Sequence, residues 1–280
     1  MNALINSGKF NVTAIKRPTS KATFPASIKV AEADLSSVQS VTAAFQGQDA
    51  VISAVGMEGL SGQHVLIDAA IAAGVKRFLP GEFGSDLGNT KLAALPVFGH
   101  KVATNKHLED AIARTPGMTY TLLVNGPFLD WGLNKGFLLN LDDGKPKLYD
   151  GGKNVFSSTT LASVGQAVVG ILTHYEETKN KRVYVRDIDV SQNQLLDLAK
   201  NIAPEKKWEP INVDTAAIEK SSNESLAKGE VTMPVMFGYL IRGIFGEGYG
   251  AKLEKDDNKL LGVTGKTEAD VEAILRPLLK

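Results

Sequence analysis

Short apolar runs and longer amphipathic stretches alternate through the first half of the chain, each pair separated by turn residues. Ala3 and Leu4 belong to a helical stretch ending at Gly8, a residue suited to the left-handed position after a helix. Phe10 to Ile15 reads as a strand that runs out at Lys16-Arg17-Pro18, and Ile28 to Ala31 as a second, shorter one. Asp34 is expected to cap a helix over Ser37 to Phe45, which stops at Gly47. Ala50 to Val55 is an apolar run of the kind buried on both faces of a parallel sheet. His64 to Ala73 is helical and ends at Gly74. Arg77-Phe78-Leu79 reads as a strand, Pro80-Gly81 as a turn exposing Glu82 and Phe83, and Ser85 to Lys91 as a polar loop. A helix carrying Lys101 then runs to about Arg114, and Thr119 to Val124 forms the next strand before Asn125-Gly-Pro-Phe128. Strand and helix alternate here at βα spacing, which predicts an α/β fold with a doubly wound parallel sheet.

The second half is less regular. Lys147 to Tyr149 and Asn154 to Ser157 are expected to form a hairpin about Asp150-Gly-Gly152. Leu161 to His174 reads as a helix, Arg182 to Val190 as a strand, and Ser191 as the cap of a helix ending near Ile202. Residues 205–250 are expected to make a smaller lobe, and Thr267 to Leu279 a terminal amphipathic helix with Asp270 three residues after its cap. The expected division is therefore a doubly wound α/β part over 1–150 and a mixed part over 151–280 that supplies late sheet elements and the smaller lobe.

Charge and composition narrow the function classes. Lys+Arg and Asp+Glu both number 31, so the balanced charge gives no support for nucleic acid or an anionic membrane as partner. There is no cysteine, which removes thiolate chemistry and Cys-based metal sites. His64, His107 and His174 show no metal-ligand spacing, so no metal is expected. Val231 to Phe245, the longest apolar stretch, is interrupted by Pro234, Gly238 and Arg242 and is too short to span a bilayer. The start shows neither an apolar signal core nor an arginine-rich transit pattern, so a cytoplasmic location is the expectation.

Gly56-x-x-Gly59-x-x-Gly62 follows a strand, precedes a helix and lies 20 residues before Glu82. That spacing is superficially a dinucleotide fingerprint, but two strand-like runs come before it, and a plain glycine-rich βα turn is the favoured reading. Lys101 enters its helix just past a strand, turn and loop, where α/β enzymes present reactive groups. The usual Tyr-x-x-x-Lys pair is missing there, because Val97 stands four residues before Lys101. Tyr149/Lys153 spans a turn, and Tyr175/Lys179 ends a helix in a charged run expected to be solvated; neither is taken as catalytic. His100 projects from another side of the helix than Lys101 and reads as structural. Met233, Met236, Phe237 and Tyr239 suit either a hydrophobic substrate lid or ordinary core packing.

At Lys16-Arg17, Gly56, Lys76 to Gly84, Lys101 and Asn125 to Phe128, the chain resembles the NmrA-like, isoflavone-reductase-like branch of the atypical short-chain dehydrogenases. Ser53-Ala54-Val55-Gly56 looks like the family's fourth-strand end, and KRFLPGEFG like its signature before the catalytic-lysine helix. The resemblance implies a Rossmann-type NAD(P)-binding fold and NADP(H) as cofactor. It places Arg17 and Lys21 on the 2′-phosphate, and Ala54, Val55, Gly56, Pro80 and Glu82 around the cofactor, with Lys101 as general acid/base. Gln63 and Asn125 suit hydrogen bonds to cofactor or substrate or plain turn capping, and Phe83 and Phe128 suit packing on the nicotinamide or substrate ring or ordinary core packing. An arginine suits the phosphate because its fork makes bidentate contacts. The family also opens with a strand and a GxxGxxG turn, about 15 to 20 residues that this chain does not show. Without that strand, its neighbours in the sheet are expected to close up or keep unpaired edges.

Three functions follow from this. The first is an NADPH-dependent reductase of a small, aromatic or phenylpropanoid-like substrate. The second is a non-catalytic NADP-sensing regulator that acts through a protein partner, and the third a truncated relative with impaired cofactor binding. A homodimer is compatible with each.

Overall fold

The computed structural model describes residues 1–279. In chain order these form helix α1 (Asn2–Asn6), strands β1 (Thr13–Lys16) and β2 (Lys29–Glu32), α2 (Val38–Phe45), β3 (Ala50–Ile52) and α3 (Gln63–Ala72). Then come β4 (Arg77–Leu79), α4 (Thr90–Ala93), α5 (Gly99–Arg114), β5 (Thr119–Val124), α6 (Leu129–Asn134), β6 (Lys147–Tyr149) and β7 (Val155–Ser158). The last part holds α7 (Leu161–Thr173), β8 (Lys181–Tyr184), β9 (Ile188–Ser191), α8 (Gln192–Ile202), β10 (Ile211–Val213), α9 (Thr215–Ala227), α10 (Met233–Phe245), α11 (Asn258–Leu261) and α12 (Glu268–Leu275). Two compact units emerge. One comprises Met1–Glu82, His100–Leu123 and Gly165–Val183; the other comprises Phe83–Gly99, Val124–Val164 and residues 184–279.

In the first unit, β3, β4 and β5 pair in parallel and β8 extends the same sheet. β1 and β2 form a second parallel ladder, and among the described residues no ladder joins β1 to β3. Both ladders share one apolar core, in which Val51, Phe78 and Leu122 of the sheet meet Leu66 and Ile67 of α3 and Leu108 of α5, with Ile15 of β1 packed against them. The helix after β2 is capped by Ser37, whose hydroxyl accepts from the Ser40 amide at 3.2 Å, and not by Asp34. Asp34 instead accepts from the Ser36 amide and hydroxyl, a local turn that competes with capping.

β4 begins with Arg77, which is wholly buried. Its Nε donates to Thr119 Oγ1 at 2.8 Å, its Nη1 to Thr121 and Thr178 Oγ1 at 2.7 and 3.0 Å, and its Nη2 to the Tyr175 carbonyl at 2.6 Å. The guanidinium also lies 4.1 Å from the centroid of the Tyr175 ring. Tyr175 is therefore part-buried packing rather than a solvated helix end, and its hydroxyl donates to the Lys76 carbonyl at 2.9 Å. Burial pulls the Arg77 pKa down, yet a guanidinium keeps its charge and needs every donor satisfied.

In the second unit the expected hairpin does not form. β6 pairs in parallel with β10, and β7 pairs antiparallel with β9. The turn between β6 and β7 explains this: Asp150, Gly151 and Gly152 all have positive φ, 48°, 78° and 68°, and send the two strands to different partners. The stretch expected as one strand from Arg182 splits into β8 and β9 around Asp187. The capping boxes at Ser191/Gln194 and Thr267/Asp270 are present. This unit has its own core, where Phe156, Leu195, Phe245 and Leu275 meet. Among the described residues no helix is long and apolar enough to cross a membrane, and no group of three or more His, Asp or Glu residues could hold a metal.

Replacing Arg77 with methionine would leave Thr119, Thr121, Thr178 and the Tyr175 carbonyl without their donor. At about 1 kcal/mol for each lost bond, a destabilisation of about 3 kcal/mol or more is expected. Urea denaturation checks this; an unchanged midpoint would mean that the fork contributes nothing net.

Candidate functional site

The site is built at the carboxyl end of β3 and β4 in the first unit. After β4 the chain turns through Pro80, Gly81 and Glu82, all buried. The strand end and the turn are tied to three other segments. The Ser53 amide, just past β3, donates to the Leu79 carbonyl at 2.8 Å. The Gly81 amide donates to Oε1 of Gln63, the first residue of α3, at 2.6 Å. From α5, Lys101 donates through Nζ to the Glu82 backbone carbonyl, and Asn105 donates through Nδ2 to Glu82 Oε1 at 2.5 Å. Lys101 and Asn105 are four residues apart, so one helical face grips both ends of Glu82.

Lys101 is shielded, and burial, the larger effect, holds its pKa below the ordinary 10.5 while the Glu82 charge pulls it back up. An ammonium has three donors. One is spent on the Glu82 carbonyl, which leaves donors for another group.

Three buried polar atoms in this same place have no hydrogen-bond partner: Ser53 Oγ, Gln63 Nε2 and Asn105 Oδ1. Buried polar groups are normally satisfied, so such a cluster fits a site that receives a polar ligand. The sequence singled out Gln63, Pro80, Glu82 and Lys101, and these come together here. Ser53 and Asn105 were missed; the available signal for Asn105 was its spacing of four from Lys101.

The remaining residues lie around this turn or apart from it. Ala54 and Gly56 are exposed and Val55 part-buried as the chain leaves β3. Gly56 opens a 3-10 turn over Met57–Gly62, and a Cβ added at Gly56 or Gly62 would meet open space. A Cβ at Gly59 would come within 2.9 Å of Val55, so that glycine serves close packing. Arg17 and Lys21 are exposed in the loop after β1. Lys16 just before them pairs with Glu32 at 3.0 Å, which leaves Arg17 as the first outward cation of the loop. These residues would suit a dinucleotide, with a basic loop for its phosphate and uncommitted polar atoms at the sheet edge for its far end.

In the second unit, the Gly84 carbonyl accepts from the amides of both Asn125 and Gly126 at 3.0 Å, which brings the Phe83-Gly84 segment beside Asn125. Asn125 Oδ1 is another buried atom without a partner. Phe128 is part-buried at the start of α6. Phe83 has φ 26°, a conformation that bulky residues rarely adopt. Met233, at the start of α10, is exposed, whereas Tyr239 is wholly buried and donates to Asn223 Oδ1 at 2.7 Å, so Tyr239 belongs to the packing of this unit. A cavity of about 320 Å³, lined by Arg186, Asp187, Asn258 and Lys266 among others, also lies in this unit and contains none of the residues singled out from sequence.

Comparison with known proteins gives three consistent findings. Residues 1–175 match the NAD(P)H-binding family. The oxidoreductase poxI of Penicillium oxalicum is 30% identical over 98% of this chain and 88% of its own length. The oxidoreductase aprR of Aspergillus flavus is 32% identical over 100% and 94%. The isoflavone reductase homolog IRL of Zea mays is 37% identical over a shorter part, 39% of this chain and 35% of its own. Among solved structures, AtPrR2 with NADP+ and (+)-pinoresinol superposes with a TM-score of 0.77 at 21% identity, over 100% of this chain and 95% of that one. Leucoanthocyanidin reductase from Vitis vinifera superposes at 0.75 with 16% identity, over 99% and 94%. At these identities the superpositions speak for the fold alone.

The shielded lysine gives a stability prediction. Between its lowered pKa and 10.5 the unfolded chain binds more protons at this position than the folded one, so Lys101 makes stability rise with pH in that window. The Lys101→Met variant should lose that part of the slope. Denaturation midpoints of both proteins at stepped alkaline pH check it; parallel curves would place Lys101 in water.

Proposed function

The chain belongs to the NAD(P)H-binding family, in its isoflavone-reductase-like branch of atypical short-chain dehydrogenases, and from that premise we propose that it is an NADPH-dependent reductase of a small, aromatic or phenylpropanoid-like molecule. The observation that carries this reading is Lys101: a shielded amine on α5, held to the strand-end turn beside Ser53 Oγ and Gln63 Nε2, which lack partners. Arg17 and Lys21 would hold the 2′-phosphate, and Gln63, Ser53 and the Gly56 backbone the rest of the cofactor.

When bound, NADPH supplies the hydride. The work of the chain is to orient, to exclude water and to move one proton. Lys101 in its ammonium form donates a proton to the substrate oxygen that gains charge as hydride arrives at carbon. A hydride to carbon and a proton to oxygen thus enter the substrate, two electrons and two protons in all, and Lys101 regains its proton from solvent. Its lowered pKa brings donor strength closer to the working pH, where general acids are most effective. Because the reduction needs the protonated amine, its rate should be full below the Lys101 pKa and fall as pH rises through it.

Calorimetry with NADPH tests the first half of this reading. Heat at micromolar cofactor is expected, and none at millimolar cofactor would overturn it. Arg17→Ala and Lys21→Ala should each weaken NADPH binding by about 10- to 100-fold, the worth of a charge-assisted hydrogen bond, and leave NADH binding unchanged. Turnover of a panel of reducible aromatic compounds tests the second half. Lys101→Ala should lower kcat by about 10²- to 10⁴-fold. Unchanged turnover would remove Lys101 from the chemistry, and NADPH binding without turnover by either form would favour a cofactor-sensing role.

A further inference from the structure

Glu82 is buried, and it is anchored at two points by one face of α5. A buried carboxylate is costly unless it is paired and hydrogen-bonded. Asn105, itself buried, supplies one such bond. The arrangement fixes the carbonyl that receives the Lys101 ammonium, immediately before Phe83 with its left-handed backbone. We infer that Glu82 and Asn105 are positioning residues for Lys101: Asn105 fixes the Glu82 side chain, and Glu82 sets where the Lys101 amine sits. This rests on the catalytic reading of Lys101 given above.

The charged groups around Lys101 narrow the source of the effect to Glu82. On α5, Lys106 pairs with Asp110 at 2.9 Å, and His100 is exposed. On α3, Asp68 faces His107 at 2.7 Å, and the His107 ring stacks on His64 with 4.5 Å between centroids. Glu82 is the charge that acts on Lys101, and it opposes the larger effect of burial. A lysine in such a place is poised between two forces. Removal of the carboxylate would leave burial unopposed and make the amine a weaker holder of its proton.

Competitive labelling with acetic anhydride across pH, read by peptide mass spectrometry with exposed Lys21 as internal reference, measures the Lys101 pKa directly. It needs neither cofactor nor substrate, so its failure is distinct from failure of the reductase reading, which turnover of Lys101→Ala decides. Glu82→Gln keeps the shape and the acceptor for Asn105 and removes the charge. It should lower the Lys101 pKa by about one unit, a tenfold loss of proton affinity, as expected when an opposite charge nearby is lost. Asn105→Ala should shift it in the same direction by releasing the Glu82 side chain, and the double variant should shift it no further than Glu82→Gln alone. Should either single variant fail to fold by circular dichroism, the other carries the test. A Lys101 pKa unmoved in a folded Glu82→Gln protein, or shifts that simply add in the double variant, would overturn the proposal.

Discussion

The grip of α5 on Glu82 is the constraint that gives the site its form. A lysine tuned for proton transfer must be taken out of water, and that weakens its hold on the proton. It must still keep enough charge to act as a donor. Under the proposed mechanism both demands fall on one helical turn. Lys101 closes on the Glu82 carbonyl, Asn105 on the Glu82 carboxylate, and the buried carboxylate returns part of what burial removes. Gln63 and Ser53 tie the same strand end and turn by hydrogen bonds at Gly81 and Leu79.

β4 shows how three residues can serve three purposes. Arg77 at its start ties β4 to β5 and to the segment after α7 through buried hydrogen bonds. Phe78 at its middle fills the core. Leu79 at its end receives Ser53 and begins the turn that holds the site. The amino end of the strand is thus closed by a satisfied cation, and the carboxyl end leaves polar atoms uncommitted. This polarity agrees with the general placement of ligands at the carboxyl ends of parallel strands. The separate ladder of β1 and β2 carries the outward Arg17 and Lys21, so the basic loop is held by short-range pairing of its own.

Much of this was legible in the sequence where local signals suffice. β5 matches its expected span to the residue, because Thr119–Val124 is a continuous β-favouring run bounded by Pro116-Gly117 before it and Asn125-Gly-Pro after it. The helix of Lys101 and the caps at Ser191 and Thr267 follow from periodicity and capping chemistry. What failed depends on distant partners. Nothing near Lys147–Tyr149 announces that Ile211–Val213 will be its neighbour, and a local hairpin was the natural expectation. The burial of Arg77 has no local signal, since its threonine partners lie more than forty residues away. Asn105 carries no signal of its own beyond its register with Lys101.

The central claim is that Lys101 and the strand-end turn form one wall of a nicotinamide site. A crystal structure of the protein with NADP+ tests it most directly. The account predicts the nicotinamide end of the cofactor against Pro80–Glu82, with its polar atoms satisfying Ser53 Oγ or Gln63 Nε2 and the Lys101 amine turned toward the reacting face. A cofactor whose nicotinamide lies away from this turn, with those atoms still unpaired and Lys101 sealed off from it, would contradict the account.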